Sequence, residues 1–166
     1  LVSGKVSHMG SVLLQICDGD KVLVTKSVET SDGAFECEFA LPQCRLWSTE
    51  DPKLYKLRVN YADDEETISF GIRAVELNKQ QGLLLNGKRV VLDGACIHSD
   101  NGIIGAVSLP EAEERKVRLL QSVGYNAIRS AHNPAAKSLL DACDKLGMLV
   151  LDEYVDMWFV HKNKYD

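Results

Sequence analysis

The chain has 166 residues, of which 45% are hydrophobic, and a formal net charge of −5 at pH 7. This length is enough for the buried cores of two modest domains, and the mild acidity argues against nucleic acid or an anionic membrane surface as a partner. No apolar run could span a bilayer, no signal peptide is recognisable, and the compartment is left open. The five cysteines lack a CxxC spacing, so they are interpreted as buried thiols rather than a disulfide framework, with at least one unpaired.

The first half predicts an antiparallel β-sandwich. The predicted strands are residues 12–16, 21–28, 34–41 and 54–61, with a further one around Ile68, Phe70 and Ile72. The third and fourth of these alternate apolar and polar side chains, as strands with one buried face do. Short turn sequences rich in Asp and Gly separate the first strands, and such regular turn signals are typical of a sandwich.

A polar segment divides the two halves. Residues 78–82 end in a glycine and predict a junction, so the expected domains are residues 1–77 and 78–166. Asn86-Gly87 lies between the apolar runs 83–85 and 90–92, which predicts a tight hairpin at the entry to the second domain.

The second half predicts strand, helix, strand, helix and strand. The strands are residues 90–98, 127–128 and 148–151. The first helix is expected to begin with a capping box formed by Ser108 and Glu111 and to end at Gly124; the second is expected from Asn133 to Gly147. Helical connections between short apolar strands favour a parallel sheet.

The strand ends carry the candidate site. In parallel α/β folds the loops after the strands lie together on one face, where ligands bind. His98, His132, Asp152 and Glu153 each follow a predicted strand, so we expect them to converge. Three parallel strands with two helices also leave an open sheet edge. We therefore expect the chain to be a segment of a longer enzyme and to be able to self-associate through that edge.

At these residues the chain resembles glycoside hydrolase family 2, which holds beta-galactosidases, beta-glucuronidases and beta-mannosidases. The resemblance rests on residues 126–134 and on a pattern that continues through Leu139-Leu140, Asp144 and Gly147 to residues 149–153, which end in Asp152-Glu153. Three earlier stretches fit in order: Leu46-Trp47-Ser48 with Pro52 and Leu54-Tyr55, then Phe70 to Arg73, then Leu85 to Lys88 leading to Gly94 and His98.

This resemblance implies a multi-domain fold, an all-β immunoglobulin-like sandwich followed by an incomplete (β/α)8 TIM barrel that contains its first three strands. It implies a retaining glycosidase of carbohydrate metabolism that uses two glutamates from later barrel strands. No catalytic residue is then expected in this chain, and the fragment alone should be inactive. The runs beginning at His98 and at Asp156 resemble a galactosidase-like subgroup, so terminal β-D-galactosides are the expected substrates. No cofactor and no metal are expected.

The resemblance also assigns roles by position. His98 and His132 match histidines that touch the sugar, and Arg129 matches an arginine that braces the catalytic carboxylates. Asp152 and Glu153 match an acidic pair with a structural or sugar-binding role. The full set of expected substrate-binding residues is His98, Asp100, Arg129, His132, Asn133, Asp152, Glu153 and Trp158.

Other interpretations remain open. A single strand-end histidine is usually a satisfied surface or core group, Arg129 could form a structural ion pair with Glu153, and Trp158 could be a packing residue. Zinc binding by Cys96, His98 and His132 is disfavoured by their spacing. The alternative functions are a beta-glucuronidase or beta-mannosidase, or a non-catalytic carbohydrate-binding sandwich. A doubly wound enzyme is weakly supported because no glycine-rich phosphate loop follows a strand.

Overall fold

The computed structural model of the chain describes residues 1–154. These residues form two compact units, one made of residues 1–47 and 53–72, the other of residues 48–52 and the described residues from Arg73 onward. The boundary expected after residue 77 remains a prediction. Trp158 and the run that begins at Asp156 lie outside the described residues.

The first unit contains two antiparallel sheets. Its strands are β1 (Val2–Lys5), β2 (Ser11–Asp18), β3 (Lys21–Glu29), β4 (Ala34–Cys37), β5 (Leu54–Tyr61) and β6 (Asp64–Gly71). One sheet has the order β3-β2-β5-β6 and the other pairs β1 with β4. The strand predicted to reach residue 41 ends at Cys37, where the next carbonyl, that of Glu38, accepts a hydrogen bond from the Lys26 ammonium (2.7 Å).

Alternation along the central strands builds the core of the first unit. Val12, Leu14 and Ile16 of β2 are buried, and Cys37 of the smaller sheet packs into the same cluster. Trp47 is also buried, and its side chain lies so close to Gly71 that a Cβ atom on residue 71 would overlap it. The two sheets therefore share one apolar core, as the sequence predicted.

A small sheet opens the second unit, formed by β7 (Val75–Asn78), β8 (Gly82–Leu85) and β9 (Lys88–Arg89). The predicted hairpin is confirmed, since Asn86 and Gly87 both have positive φ, 53° and 76°, as a two-residue turn of this kind requires. The second strand of the hairpin, β9, begins at Lys88 rather than at residue 90, because the two-residue turn places Lys88 directly opposite Leu85.

Three parallel strands follow, β10 (Gly94–Ile97), β11 (Ala127–Ser130) and β12 (Leu149–Asp152), in that order across the sheet. The predicted parallel pairing is confirmed, but the prediction that the first strand starts at Val90 was wrong. The Asn126 side chain accepts a hydrogen bond from the Asp93 amide and donates one to the Val91 carbonyl, both 2.9 Å. These bonds replace strand pairing before Gly94.

The helices α1 (Pro110–Ser122) and α2 (Lys137–Leu146) join these strands and cover one face of the sheet. Val117 of α1 and Cys143 of α2 are buried against Ile128 of β11. The predicted helix ends are confirmed, since Gly124 and Gly147 have φ of 94° and 83° just beyond the last turns.

Both predicted helix starts were wrong. Ser108 forms no capping box, because its hydroxyl donates to Glu113 (2.6 Å), and α1 begins after Leu109 without a side-chain cap. The second helix begins at Lys137 rather than at Asn133. The Ala135 amide donates to the Asp152 carboxylate (2.8 Å), which holds the residues before α2 in a loop.

Candidate functional site

The sheet register sets the side chains of the candidate site. Cys96, Arg129 and Leu151 are neighbours across β10, β11 and β12. Side chains alternate between the faces of a sheet, and Ile128 lies under the helices, so this row lies on the opposite face. His98, His132 and Glu153 come just beyond the carboxyl ends of β10, β11 and β12, which lie at the same end of the sheet.

Glu153 is bound from two sides. The Nε of Arg129 donates to Glu153 Oε1 at 2.7 Å, and a second guanidinium nitrogen contacts the same oxygen. Nδ1 of His132 lies 3.1 Å from the other oxygen, Oε2. The hydrogen bond from Arg129 is the main cause that holds the pKa of Glu153 below its ordinary value, so this carboxylate is an anion at neutral pH.

Arg129 has a second partner in Cys96. Its Nη1 lies 3.2 Å from the Cys96 sulfur, and this contact, followed by the contacts with Glu153, raises the pKa of the guanidinium. The planar guanidinium is thus held at both ends, and its direction is fixed. Arginine in this setting orients other groups and does not exchange a proton.

The two histidines lie side by side. The ring centroids of His98 and His132 are 5.8 Å apart and the rings are inclined by 60°. Both side chains are exposed, and the peptide bond before His132 is cis. The Ser130 hydroxyl donates to the Asn133 carbonyl (2.9 Å), which fixes the backbone around His132. Two imidazoles at this spacing offer neighbouring hydrogen-bonding nitrogens to one ligand.

The remaining predicted site residues differ in their surroundings. Asp152 is half-buried and its Oδ1 accepts a hydrogen bond from the Ala135 amide, so it supports the loop after β11. Asp100 is exposed and its Oδ1 accepts the Gly102 amide (2.9 Å). Asn133 is exposed beside His132. Trp158 lies outside the described residues.

The sequence interpretation passed over two residues near this edge. Cys96 was predicted to be a buried thiol, but it is exposed, and strand alternation places it on the face of Arg129. Glu113 lies in the first turns of α1, where acidic side chains are normally exposed, yet it is only 3% exposed. Its spacing from buried Val117, one helical turn later, was the available signal.

Within the described residues, no three His, Cys, Asp or Glu side chains form a group that could hold a metal ion. Among the helices of the described part of the chain, none is long and apolar enough to cross a membrane. The candidate site therefore consists of the histidine pair, the Arg129–Glu153 ion pair and the loops that carry them.

Comparison with protein families covers nearly the whole chain. The model described as "Glycosyl hydrolases family 2, TIM barrel domain" matches residues 75–164, and the model described as "Glycosyl hydrolases family 2" matches residues 4–73.

Individual relatives agree with these matches. The chain is 36% identical over 162 residues to a beta-galactosidase of Bacteroides ovatus, which covers 92% of this chain and 19% of that protein. It is 32% identical over 177 residues to a beta-glucuronidase of Bacteroides fragilis, with 94% and 26% covered. A crystal structure of a glycosyl hydrolase family 2 member from Bacteroides cellulosilyticus matches with a TM-score of 0.81 and 40% identity, covering 96% of this chain and 22% of that one. The chain thus spans about a fifth to a quarter of the length of these proteins.

Proposed function

Because the chain belongs to glycosyl hydrolase family 2, we propose that it is part of a longer, retaining β-glycosidase that hydrolyses terminal β-D-galactosides. In this proposal the first unit is the immunoglobulin-like sandwich domain, and β10, β11 and β12 are the first three strands of the (β/α)8 catalytic barrel. We place the boundary between the two domains after residue 77. We place both catalytic glutamates in later strands, so this chain binds sugar but performs no chemistry alone.

The observation that carries the proposal is the meeting of His98, Arg129, His132 and Glu153 at the ends of parallel strands. Active sites of barrel enzymes lie at this face of the sheet. A non-catalytic carbohydrate-binding sandwich would bind its ligand on the first unit instead.

Each side chain has a proposed role in binding the terminal sugar. Nδ1 of His132 faces Glu153, so its Nε2 is the ring nitrogen that meets a sugar hydroxyl. His98 contacts a neighbouring hydroxyl, and Arg129 holds Glu153 in place. Retaining hydrolysis uses two carboxyl groups about 5 Å apart, and the role of the present residues is to fix the ring between them. Asp100, Asn133, Asp152 and Trp158 complete the proposed binding set.

The charge of the site favours a neutral sugar over a glucuronide. Proteins bind carboxylates mainly through Arg or Lys. Among the described strand-end residues Arg129 and Glu153 form an ion pair whose charges offset one another, which leaves Asp100 and Asp152 as the acids. A glucuronide carboxylate would be repelled at this cluster, and a galactoside would not.

The experiment is to express the complete reading frame that encodes this chain in a host without its own β-galactosidase or β-glucuronidase. The 4-nitrophenyl β-D-galactoside, β-D-glucuronide and β-D-mannoside are then assayed in parallel, with the anomeric product followed by NMR. We expect kcat/KM for the galactoside to be roughly tenfold or more above that for the glucuronide, because the acids of the site repel the glucuronide carboxylate. We expect hydrolysis with retention of configuration.

A His132→Ala variant of the same protein tests the binding role of this side chain, and its kcat/KM for the galactoside should fall by roughly ten- to a hundredfold. Preference for the glucuronide would overturn the galactoside assignment. Inversion of configuration or the absence of hydrolysis of all three substrates would overturn the proposal as a whole.

A further inference from the structure

The loop between β10 and α1, residues 98–109, carries His98 and Asp100 to the sugar-binding edge. It is folded by its own hydrogen bonds, including one from the Asn101 amide to the Gly105 carbonyl (2.8 Å). Among these twelve residues only Asn101 and Ser108 are partly covered; the others are exposed. Apolar burial therefore contributes little to holding the loop in place.

The two covered loop residues bind one buried carboxylate. Glu113 lies in the first turns of α1, and its Oε1 accepts hydrogen bonds from Asn101 Nδ2 (2.8 Å) and Ser108 Oγ (2.6 Å). Lys116 Nζ lies 2.9 Å from Oε2, in an ion pair that is not aligned as a hydrogen bond. Ser108 also contacts the Ser138 hydroxyl on α2 (2.7 Å). Ser108 thus connects the loop to both helices.

A favourable interaction with the helix dipole does not explain this burial. Glu111, in the same first turn, is exposed, as a carboxylate near a helix start normally is. Burying a charge is costly unless it is paired and hydrogen-bonded. Burial by itself raises the pKa of Glu113, but the hydrogen bonds from Ser108 and Asn101, together with the nearby charge of Lys116, outweigh it and lower the pKa. The carboxylate is therefore an anion that depends on the loop for its stability.

Glu113 also lies close to the histidine that begins the loop. A cavity of about 30 Å³ is lined by Glu113, Lys116, His98 and Ser99, together with Ser130 of β11. Glu113 and His98 thus line the same small cavity, whose other walls include Ile97 and Leu139. A shift of the loop at Asn101 or Ser108 would change the position of His98.

We propose that Glu113 is a positioning residue that anchors the β10–α1 loop through Asn101 and Ser108 and so holds His98 against the sugar. This inference rests on the proposed glycosidase function for its substrate, but its account of the loop does not. Glu113 acts through other residues and touches no substrate itself.

The test uses the complete enzyme with Glu113→Gln, Asn101→Asp and the double variant. Glu113→Gln should raise KM for the galactoside roughly three- to tenfold with less change in kcat, because a loosened contact weakens binding in the ground and transition states alike. Asn101→Asp places two carboxylates together and should also raise KM. In the double variant the amide introduced on α1 can donate to the carboxylate introduced in the loop, so KM should return part of the way toward the wild-type value; the bond from Asn101 Nδ2 to the Val107 carbonyl (3.0 Å) stays lost.

This reversal of the effect of Glu113→Gln separates positioning from mere stability, which would change the melting temperature but not KM. Glu114→Gln is the matched control, since Glu114 follows Glu113 on α1 but pairs with Lys145 of α2 and not with the loop, and KM should stay unchanged. Wild-type KM in a folded Glu113→Gln enzyme, or no recovery in the double variant, would overturn the inference.

Hydrogen exchange of the loop amides gives a readout that needs no substrate. Exchange in residues 99–107 should be faster in Glu113→Gln than in the wild type and unchanged in Glu114→Gln. Equal loop exchange in all three proteins would overturn the anchoring role of Glu113. If the wild type hydrolyses no β-glycoside while the loop exchanges as expected, the proposed function fails and the anchoring role stands.

Discussion

At the scale of single residues, one carboxylate organises the candidate site. Glu153 and Arg129 are 25% and 42% exposed, and exposed ion pairs contribute little to stability. The pair instead orients His132, because Glu153 also contacts Nδ1 of that side chain. The pKa of Glu153 is lowered, so its pairing is complete above the ordinary value of 4.5 and is lost as the pH falls through the lowered pKa. Changes of activity near neutral pH must therefore come from other groups.

Arg129→Lys tests whether orientation matters. A lysine ammonium cannot contact both Glu153 and Cys96 as the planar guanidinium does. We expect kcat/KM of the complete enzyme to fall by roughly tenfold or more with the fold retained, because misplaced groups lower the rate steeply. Arg118→Lys on the exposed side of α1 is the control. Equal kcat/KM in the wild type and Arg129→Lys would show that the ion pair has no part in catalysis.

The cysteines should differ sharply in reactivity. Cys96 is exposed, whereas Cys143 is 1% exposed and burial raises the pKa of its thiol to about 12. Since the thiolate is the nucleophile, iodoacetamide should label Cys96 long before Cys143 in the native protein. Peptide mass spectrometry over a time course measures this order, and labelling in denaturant supplies the control. Early modification of Cys143 would contradict the packing of α2 on the sheet.

At the scale of elements, both helices end at a glycine with positive φ, but the two glycines have different surroundings. A Cβ on Gly124 would meet nothing within 4 Å, whereas one on Gly147 would overlap the Thr49 carbonyl. Gly124→Ala should cost about 1–2 kcal/mol from backbone strain alone. Gly147→Ala should cost about 1–3 kcal/mol more, because backbone atoms must also move.

Thermal unfolding of the complete protein measures the comparison. Gly147→Ala should lower the melting temperature further than Gly124→Ala, and each variant serves as the control for the other. Equal shifts would mean that residue 147 has more room than the contact with Thr49 implies.

At the scale of the whole molecule, the described residues leave apolar surface open. In the described part of the chain, β10 and β12 each pair on one side only, and Val91 and Leu151 are 61% and 56% exposed. The first unit has an apolar cavity of about 610 Å³ along its core, lined by Phe39, Leu57 and Phe70 among others. Surfaces of this kind usually contact another part of a protein.

A polypeptide limited to these 166 residues should therefore self-associate. Open parallel strands and apolar side chains favour pairing between copies, so light scattering should give an apparent mass that rises with concentration. Leu151→Lys should reduce this rise, since it places a charge on the exposed face of β12. A monomer at all concentrations would contradict the prediction.

Features that depend on neighbouring residues could be determined from the sequence. The alternation in β5, the Asn86-Gly87 hairpin and the glycines that end both helices were all predicted, because each is a property of local backbone conformation or of strand periodicity. The convergence of His98, His132 and Glu153 followed from parallel pairing, a rule that also needs no atomic detail.

Features that depend on which distant group packs nearest were decided only by the tertiary structure. Ser108 could cap α1 or bind Glu113, and the burial of Glu113 against Asn101 selected the second. The contact between Cys96 and Arg129 joins residues 33 apart in the chain, and that between Arg129 and Glu153 joins residues 24 apart. Hydroxyl, thiol and carboxylate groups accept many partners, so their choice is fixed by the fold as a whole rather than by their neighbours in sequence.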